Sequence, residues 1–187
     1  MINTLRRIGL TAILVLPSSA VIAVELTAGQ PLPSMQAPAQ TLTLEADNIS
    51  YQDWLGSSLT GKVRVVHHLN AALGVDEINK PFLERLDDLN LDASAFATLT
   101  VLNVADVSYF LQQMAKLQIE DLQRTNVNQE YVWDSNASVR AAWDLPEKGP
   151  SITLLDQLGV VIAHKDGKLQ PEDENKFVAL IQQQLAK

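Results

Sequence analysis

Val63-Arg64-Val65-Val66-His67-His68-Leu69, running on through Asn70-Ala71-Ala72-Leu73-Gly74-Val75 to Asp76, decides how the rest of the chain is read. The first seven residues place apolar side chains on both alternating faces, the pattern of a central strand in a sheet covered on both sides. Asn70 to Val75 then reads as a loop. Asp76 stands where a helix N-cap is wanted, because its carboxylate can accept amide protons from the following turn. From Glu77, apolar residues recur at helical spacing through Ile78, Phe82, Leu83, Leu86 and Leu89, with Glu84, Arg85, Asp87 and Asp88 on the other side. Pro81 falls inside that segment, removes a backbone donor and crowds the preceding turn, which predicts a kink near Glu77 to Pro81. Phe96 to Leu102 is the next strand, and the order strand, helix, strand predicts a parallel pair.

Working outward, Ser108 to Leu122 reads as a second helix with Phe110, Leu111, Met114, Leu117 and Leu122 inward. Upstream, Val24 to Gln40 is an extended, proline-punctuated arm. Thr41 to Leu44 alternates like a short edge strand, Ile49 to Trp54 is a second strand, and Leu59 to Lys62 turns the chain. Downstream come a short strand at Val132-Trp133 and one or two helical turns at Ala137 to Trp143. Ser151 to Leu155 and Val160 to His164, joined by Asp156 to Gly159, read as a β-hairpin. Pro171 opens a closing helix whose acids Glu172, Asp173 and Glu174 complement its positive end, with Phe177, Ile181 and Leu185 inward. The expected class is α/β, a mixed central sheet flanked by helices.

The N-terminus has the layout of an export signal. Arg6 and Arg7 precede the apolar run Ile8 to Leu16, followed by small residues that favour cleavage after Ala23, with Ala20 next. Residues 1–23 are therefore expected to be removed, leaving 24–187 as one domain, long enough to bury roughly 70% of the surface of its unfolded chain. The apolar run is shorter than the ~20 residues a spanning helix needs, so no membrane anchor is expected. The sequence holds no cysteine. A lipid anchor and disulfides are thereby excluded, and stability must come from the core. The formal net charge of −8 becomes more negative when Arg6 and Arg7 leave with the leader, and an acidic surface repels phosphate backbones, so no nucleic-acid partner is expected.

The absence of cysteine also removes thiol–disulfide exchange, which requires a thiolate nucleophile. His67 and His68 are neighbours on a strand, so their side chains point to opposite faces and do not share one metal ion. With His164 the only other histidine, no three-ligand zinc pattern exists. Asp76 with His67 is a conceivable acid–base pair, but an N-cap carboxylate is held in its charged form, which suits structure better than proton transfer. Ser138 and Ser151 lack a nucleophile-elbow sequence, and no glycine-rich phosphate loop is present. Trp54, Trp133 and Trp143 read as core or rim rather than as a binding groove. No catalytic residue, metal or cofactor is expected.

Val65 to Leu83 resembles the strand, active-site loop and helix of exported thioredoxin-like proteins, with Leu73 and Asp76 standing where two cysteines would be and Pro81 matching the helix proline. Gly149-Pro150-Ser151-Ile152-Thr153-Leu154-Leu155-Asp156 resembles the segment that begins with their cis-proline. More closely, the chain from Val24 onward resembles the YtfJ family of bacterial periplasmic thioredoxin-like proteins, through Gly61-Lys62-Val63-Arg64-Val65, Asp134-Ser135-Asn136, Ala142-Trp143 and Lys165-Asp166-Gly167. The resemblance implies a thioredoxin-like fold in the periplasm and no assigned enzymatic activity. The wider thioredoxin pattern implies a cis peptide before Pro150, while the sequence leaves both isomers open. Leu73, Gly74, Val75, Asp76, Gly149 and Pro150 then become candidate binding residues for an envelope protein or peptide, which could pair with the exposed backbone as an added strand. The competing expectations are non-thiol acid–base catalysis near Asp76 and His67, or a structural envelope component.

Overall fold

The computed structural model describes residues 25–35, 37–56, 59–126 and 129–187. The expected export signal, residues 1–23, lies outside them. Strand β3 (Val63–Asn70) is buried along its whole length. It is central because it is paired on both sides, parallel to β4 (Phe96–Asn103) and antiparallel to β6 (Ser151–Leu155). Val63 and Val65 pack with Phe82, Ile152 and Ile181 on one face, while Val66 packs with Leu99, Val101 and Trp143 on the other. Two-sided burial is the physical reason the strand carries no polar alternation.

Among the described residues, one seven-stranded mixed sheet runs in the order β2-β1-β5-β4-β3-β6-β7. Helix α1 (Lys80–Asp88) connects the parallel pair β3 and β4, as the strand–helix–strand reading requires. Helix α2 (Tyr109–Thr125) makes a second such crossing to β5 (Gln129–Asp134), which runs parallel to β4. Short α3 (Ser138–Ala142) follows, then the antiparallel hairpin of β6 and β7 (Val161–Asp166) and the closing helix α4 (Pro171–Leu185). Pro171 sits in the first turn of α4 and Asp173 accepts the Gln170 amide at 3.0 Å, so the predicted start of that helix is the observed one.

Three local expectations are corrected, and one question left open is answered. The strand predicted at the edge, β1 (Ala39–Glu45), is interior: it pairs with β2 (Asn48–Trp54) over seven residues and with β5 through Gln40 and Thr41. Alternation along one strand reports which face is buried and says nothing about how many neighbours share its backbone. Helix α1 does not begin at Glu77, and Asp76 does not cap it. Turns occupy residues 73–79, Asn79 holds the cap position, and Pro81 falls in the first turn, where a missing N–H costs nothing and no kink follows. Asn79 spends its amide elsewhere, donating to the Gly167 carbonyl at 3.0 Å and accepting the Leu169 amide at 2.9 Å, which ties the α1 entry to the β7–α4 turn.

Helix α2 is the third correction. Ser108 caps it as its sequence suggests, accepting the Leu111 amide, but the buried residues are Ile119 and Gln123, whereas Phe110, Met114 and Leu117 are 70%, 54% and 68% exposed. The helix rests on β1 and β5 through its C-terminal half, with Ile119 and Leu122 against Tyr131 and Leu42, and its N-terminal half leaves an apolar face uncovered. The isomer left open at Pro150 is trans, and Gly149 supplies the positive φ of 91° that turns the chain into β6.

Candidate functional site

The site begins with the register of three parallel strands. His67 of β3 lies opposite Thr100 of β4, and Thr100 lies opposite Tyr131 of β5, so one row of side chains crosses the sheet on the face covered by α1 and α2. Leu69 and Leu102 form the next row. Above these rows a gap opens between α1 and α2. The gap is a cavity of about 450 Å³ whose walls are Leu83 and Lys80 on the α1 side and Leu111, Met114 and Ile119 on the α2 side. Its rim is the loop after β3, with Leu73, Gly74, Asp76 and Glu77. Leu73 is 88% exposed, the most exposed of the large hydrophobic residues described. A concave space at the carboxyl ends of parallel strands is where α/β folds take up ligands, and this one mixes apolar walls with polar side chains such as Thr100, Gln118 and Gln129.

His67 lines the floor and is buried, and its Nε2 finds no hydrogen bond among the described residues. Burial pushes its pKa down to about 4, so the ring is neutral at physiological pH. Its neighbour His68 points to the opposite face, with neither ring nitrogen partnered, and is driven to about 3 by burial first and then by the nearby His67, Arg140 and His164. The opposed directions follow from strand geometry, as expected. His164 is separate from both: Nδ1 meets Thr153 Oγ1 at 2.9 Å and Nε2 meets Asp166 at 3.1 Å. Among the described residues no three His, Asp or Glu side chains are arranged to hold a metal.

The candidate residues from the sequence divide. Leu73, Gly74 and Asp76 line the cavity together with His67. Val75 does not line it; it is half-buried in the turn, with its amide on the Ala72 carbonyl and its carbonyl accepting from Ile78. Gly149 and Pro150 lie outside the lining. The Gly149 amide is engaged by Asn70 Oδ1 at 3.3 Å, and buried Pro150 accepts the Gly167 amide at 2.8 Å. Asn70 itself lines the cavity, so its side chain joins the two loops that the sequence brings together. At the rim, Lys80 Nζ binds both carboxylate oxygens of Glu77 at 3.1 and 3.2 Å, and Asp76 makes no ion pair among the described residues.

Sequence reasoning misses the second wall. Leu111, Met114 and Tyr131 shape the cavity as much as the loop does, and the signal that points to them is the apolar excess of α2, which carries more hydrophobic residues than its one buried stripe uses. Trp54 and Trp143 belong to the core on the opposite side of the sheet, packed edge to face with centroids 6.3 Å apart. Ser138 and Ser151 are placed without catalytic partners, each hydroxyl buried and unbonded.

The comparisons agree with this architecture. Residues 26–184 match the family model described as "Bacterial protein of unknown function (YtfJ_HI0045)". The chain is 30% identical over 183 residues to the uncharacterized protein YtfJ of Escherichia coli (strain K12), spanning 97% of this chain and 99% of that one. It is 29% identical over 165 residues to an uncharacterized protein of Haemophilus influenzae, spanning 88% and 90%. Among solved structures, a thioredoxin-like superfamily protein superposes with a TM-score of 0.61 at 18% identity, covering 85% of this chain and 98% of that one. A thiol-disulfide isomerase from Corynebacterium glutamicum superposes with a TM-score of 0.55 at 16% identity, covering 89% and 97%. With a family match across almost all of the described chain and a sheet and helix layout shared with thioredoxin-like structures, this protein belongs to the YtfJ_HI0045 family and has a thioredoxin-like fold without cysteine.

Proposed function

We propose that this chain is an exported, non-catalytic binding module of the bacterial periplasm that holds a protein or peptide against the loop Leu73-Gly74-Val75-Asp76, with Gly149 and Pro150 shaping the neighbouring edge. The observation that carries the reading is the largely apolar cavity of about 450 Å³ opening at that loop, in a chain with no cysteine to do thiol chemistry there. Export is supported by the charged and apolar pattern of residues 1–23. Binding then relies on shape and apolar contact: Leu73 and the exposed Met114 stand on opposite sides of one opening.

An acid–base enzyme is the competing reading, favoured by the presence of Asp76 and His67 in the same lining. It is the weaker of the two. A ring held near pKa 4 is a poor base at neutral pH, and no carboxylate orients it. The test is affinity capture from a periplasmic extract with the wild-type chain, Leu73→Asp and the cavity-filling Ala115→Phe, after checking that both variants melt cooperatively. A partner recovered by wild type and lost by both variants is the expected result. Recovery indifferent to both changes, or a chain retained in the cytoplasm with residues 1–23 intact, overturns the proposal.

A further inference from the structure

The two edges of the sheet, β2 and β7, are treated differently. The β7 edge is covered: the Gly29 amide donates to the Val161 carbonyl at 2.7 Å, the Val161 amide donates to the Gln30 carbonyl at 2.9 Å, and Pro31 bridges to Val160. Its pairing with β6 also shifts register at Leu154 and Leu155. A covering arm, a proline and a bulge are devices that keep an edge from recruiting another strand. The β2 edge has none of them. It pairs with β1 without a break from Asn48 to Trp54, holds no proline or lysine, and meets no other strand among the described residues. Ala46 and Asp47, both at positive φ, form a two-residue turn that closes on the bonded pair Glu45 and Asn48. Bonded and unbonded pairs alternate from there, so Asn48, Ser50, Gln52 and Trp54 direct their main-chain groups to β1. Those of Ile49, Tyr51 and Asp53 point outward, and no described residue bonds to them. This template is already rigid. The Tyr51 hydroxyl donates to Glu120 at 2.9 Å, its ring lies 5.1 Å from Lys116 Nζ, and buried Trp54 packs on Trp143, so little order has to be gained when a strand is added.

We propose that the free edge of β2 is a second interaction surface, and that its occupant is an extended, basic segment of another protein, added antiparallel to the sheet. The surface is separate from the opening at Leu73, because α2 stands between them, with Glu120 on Tyr51 and Met114 on the cavity. Charge selects the segment. Glu45, Asp47 and Asp53 are exposed and make no ion pair among the described residues, and no lysine or arginine occurs between residues 25 and 61. Of the nearby cations on α2, Arg124 is engaged by Glu120 at 4.0 Å and Lys116 by the Tyr51 ring. A second copy of this chain would bring the same three acids to the seam, whereas a basic strand neutralises them. Strand register then supplies the pattern. A basic residue falls opposite Asp53, apolar residues fall opposite Tyr51 and Ile49, and a second basic residue falls beyond them at the Asp47 end, all at alternate positions because they share one face.

The experiment uses the mature chain and three capped peptides: Thr-Lys-Thr-Val-Thr-Val-Thr-Lys-Thr, the same sequence with both lysines changed to glutamate, and the lysine peptide with both valine amides N-methylated. Calorimetry gives the affinities, and amide hydrogen exchange read by NMR locates the contact. The expected result is that the lysine peptide binds about fivefold or more tightly than the glutamate peptide, and that exchange slows at Ile49, Tyr51 and Asp53. N-methylation abolishes binding, because the valine amides are the donors to the outward carbonyls. Asp53→Lys, at an exposed position, weakens the lysine peptide by about threefold and tightens the glutamate peptide. Should that variant fail to fold, the peptide pair on the wild-type chain decides. Equal affinity for the lysine and glutamate peptides, binding that survives N-methylation, or unchanged exchange at the three amides overturns the inference. Slowed exchange at the same amides in the peptide-free chain, with a dimer mass in ultracentrifugation, overturns it in favour of a second copy. Each of these results leaves the opening at Leu73 untouched, since Leu73→Asp and Ala115→Phe do not alter the β2 edge.

Discussion

One sheet face is built in two different ways on either side of α1. Between α1 and α4 it is filled: Phe82 and Phe177 meet edge to face with centroids 5.8 Å apart, over Val63, Val65, Ile152 and Leu154, with Leu86 and Ile181 closing the layer. Between α1 and α2 the same face, continuing along the same strands, is left open over His67, Thr100 and Tyr131. Interiors are packed as densely as organic crystals, so a gap of this size beside a well-packed layer is a feature of the design, not slack spread through it. The contrast assigns stability to one half and availability to the other. The paired histidines repeat the lesson one residue apart, since His67 faces the opening and His68 faces the Trp143 side of the core.

Truncation gives the largest expected effect. Phe82→Ala, in the filled half, should cost about 3–5 kcal/mol in urea unfolding, and Leu111→Ala, on the half-buried wall of the opening, below about 1 kcal/mol. Similar losses at the two positions would erase the distinction between the halves. Acid comes next. His67 and His68 have folded pKa values of about 4 and about 3, below the 6.5 of the unfolded chain, so between pH 6.5 and about 4 the unfolded state binds more protons and stability falls as pH falls. Each tenfold difference in proton affinity between the folded and unfolded ring is worth about 1.4 kcal/mol, so the combined loss is on the order of a few kcal/mol. Urea denaturation from pH 7.5 to 4.5 measures it, and a flat profile would mean that water reaches both rings.

Smaller effects sharpen the link between the α1 entry and the β7–α4 turn. Asn79→Ala leaves the half-buried Gly167 carbonyl and the buried Leu169 amide without their side-chain partner and should cost about 1–3 kcal/mol, read by thermal and urea unfolding. Leu73→Ser comes last. Its side chain is almost wholly in solvent, so stability should move by less than about 0.5 kcal/mol while partner capture is lost. A destabilisation above about 1 kcal/mol there would show that the loop supports the fold instead of serving it.

Much of the filled half is legible from sequence, because its signals are local and physical. Val63 to Leu69 announces two-sided burial, Pro171 with three acids announces α4, and Asp156 to Gly159 announces the hairpin. The open half is misread where one pattern has two causes. Phe110, Met114 and Leu117 recur at helical spacing, and periodicity identifies an apolar stripe without saying whether protein or solvent covers it. The N-cap expected at Asp76 fails because turns and bends occupy residues 73–79, the helix starts only at Lys80, and Pro81 falls in its first turn. The loop Leu73 to Asp76 stands out through its likeness to a cysteine-bearing pattern, whereas its opposite wall, on the far side of β4, is joined to it only by the β4–α2 crossing.

The central claim is that the opening between α1 and α2 is where this protein meets its partner, and photo-cross-linking from two exposed leucines tests it most directly. A benzophenone side chain replaces Leu73 at the rim in one strain and Leu158, 78% exposed in the β6–β7 hairpin, in another. The account predicts a discrete cross-linked product from position 73 alone, abolished by Ala115→Phe. The same products from both positions, or a product from position 73 that survives the filled cavity, would contradict it.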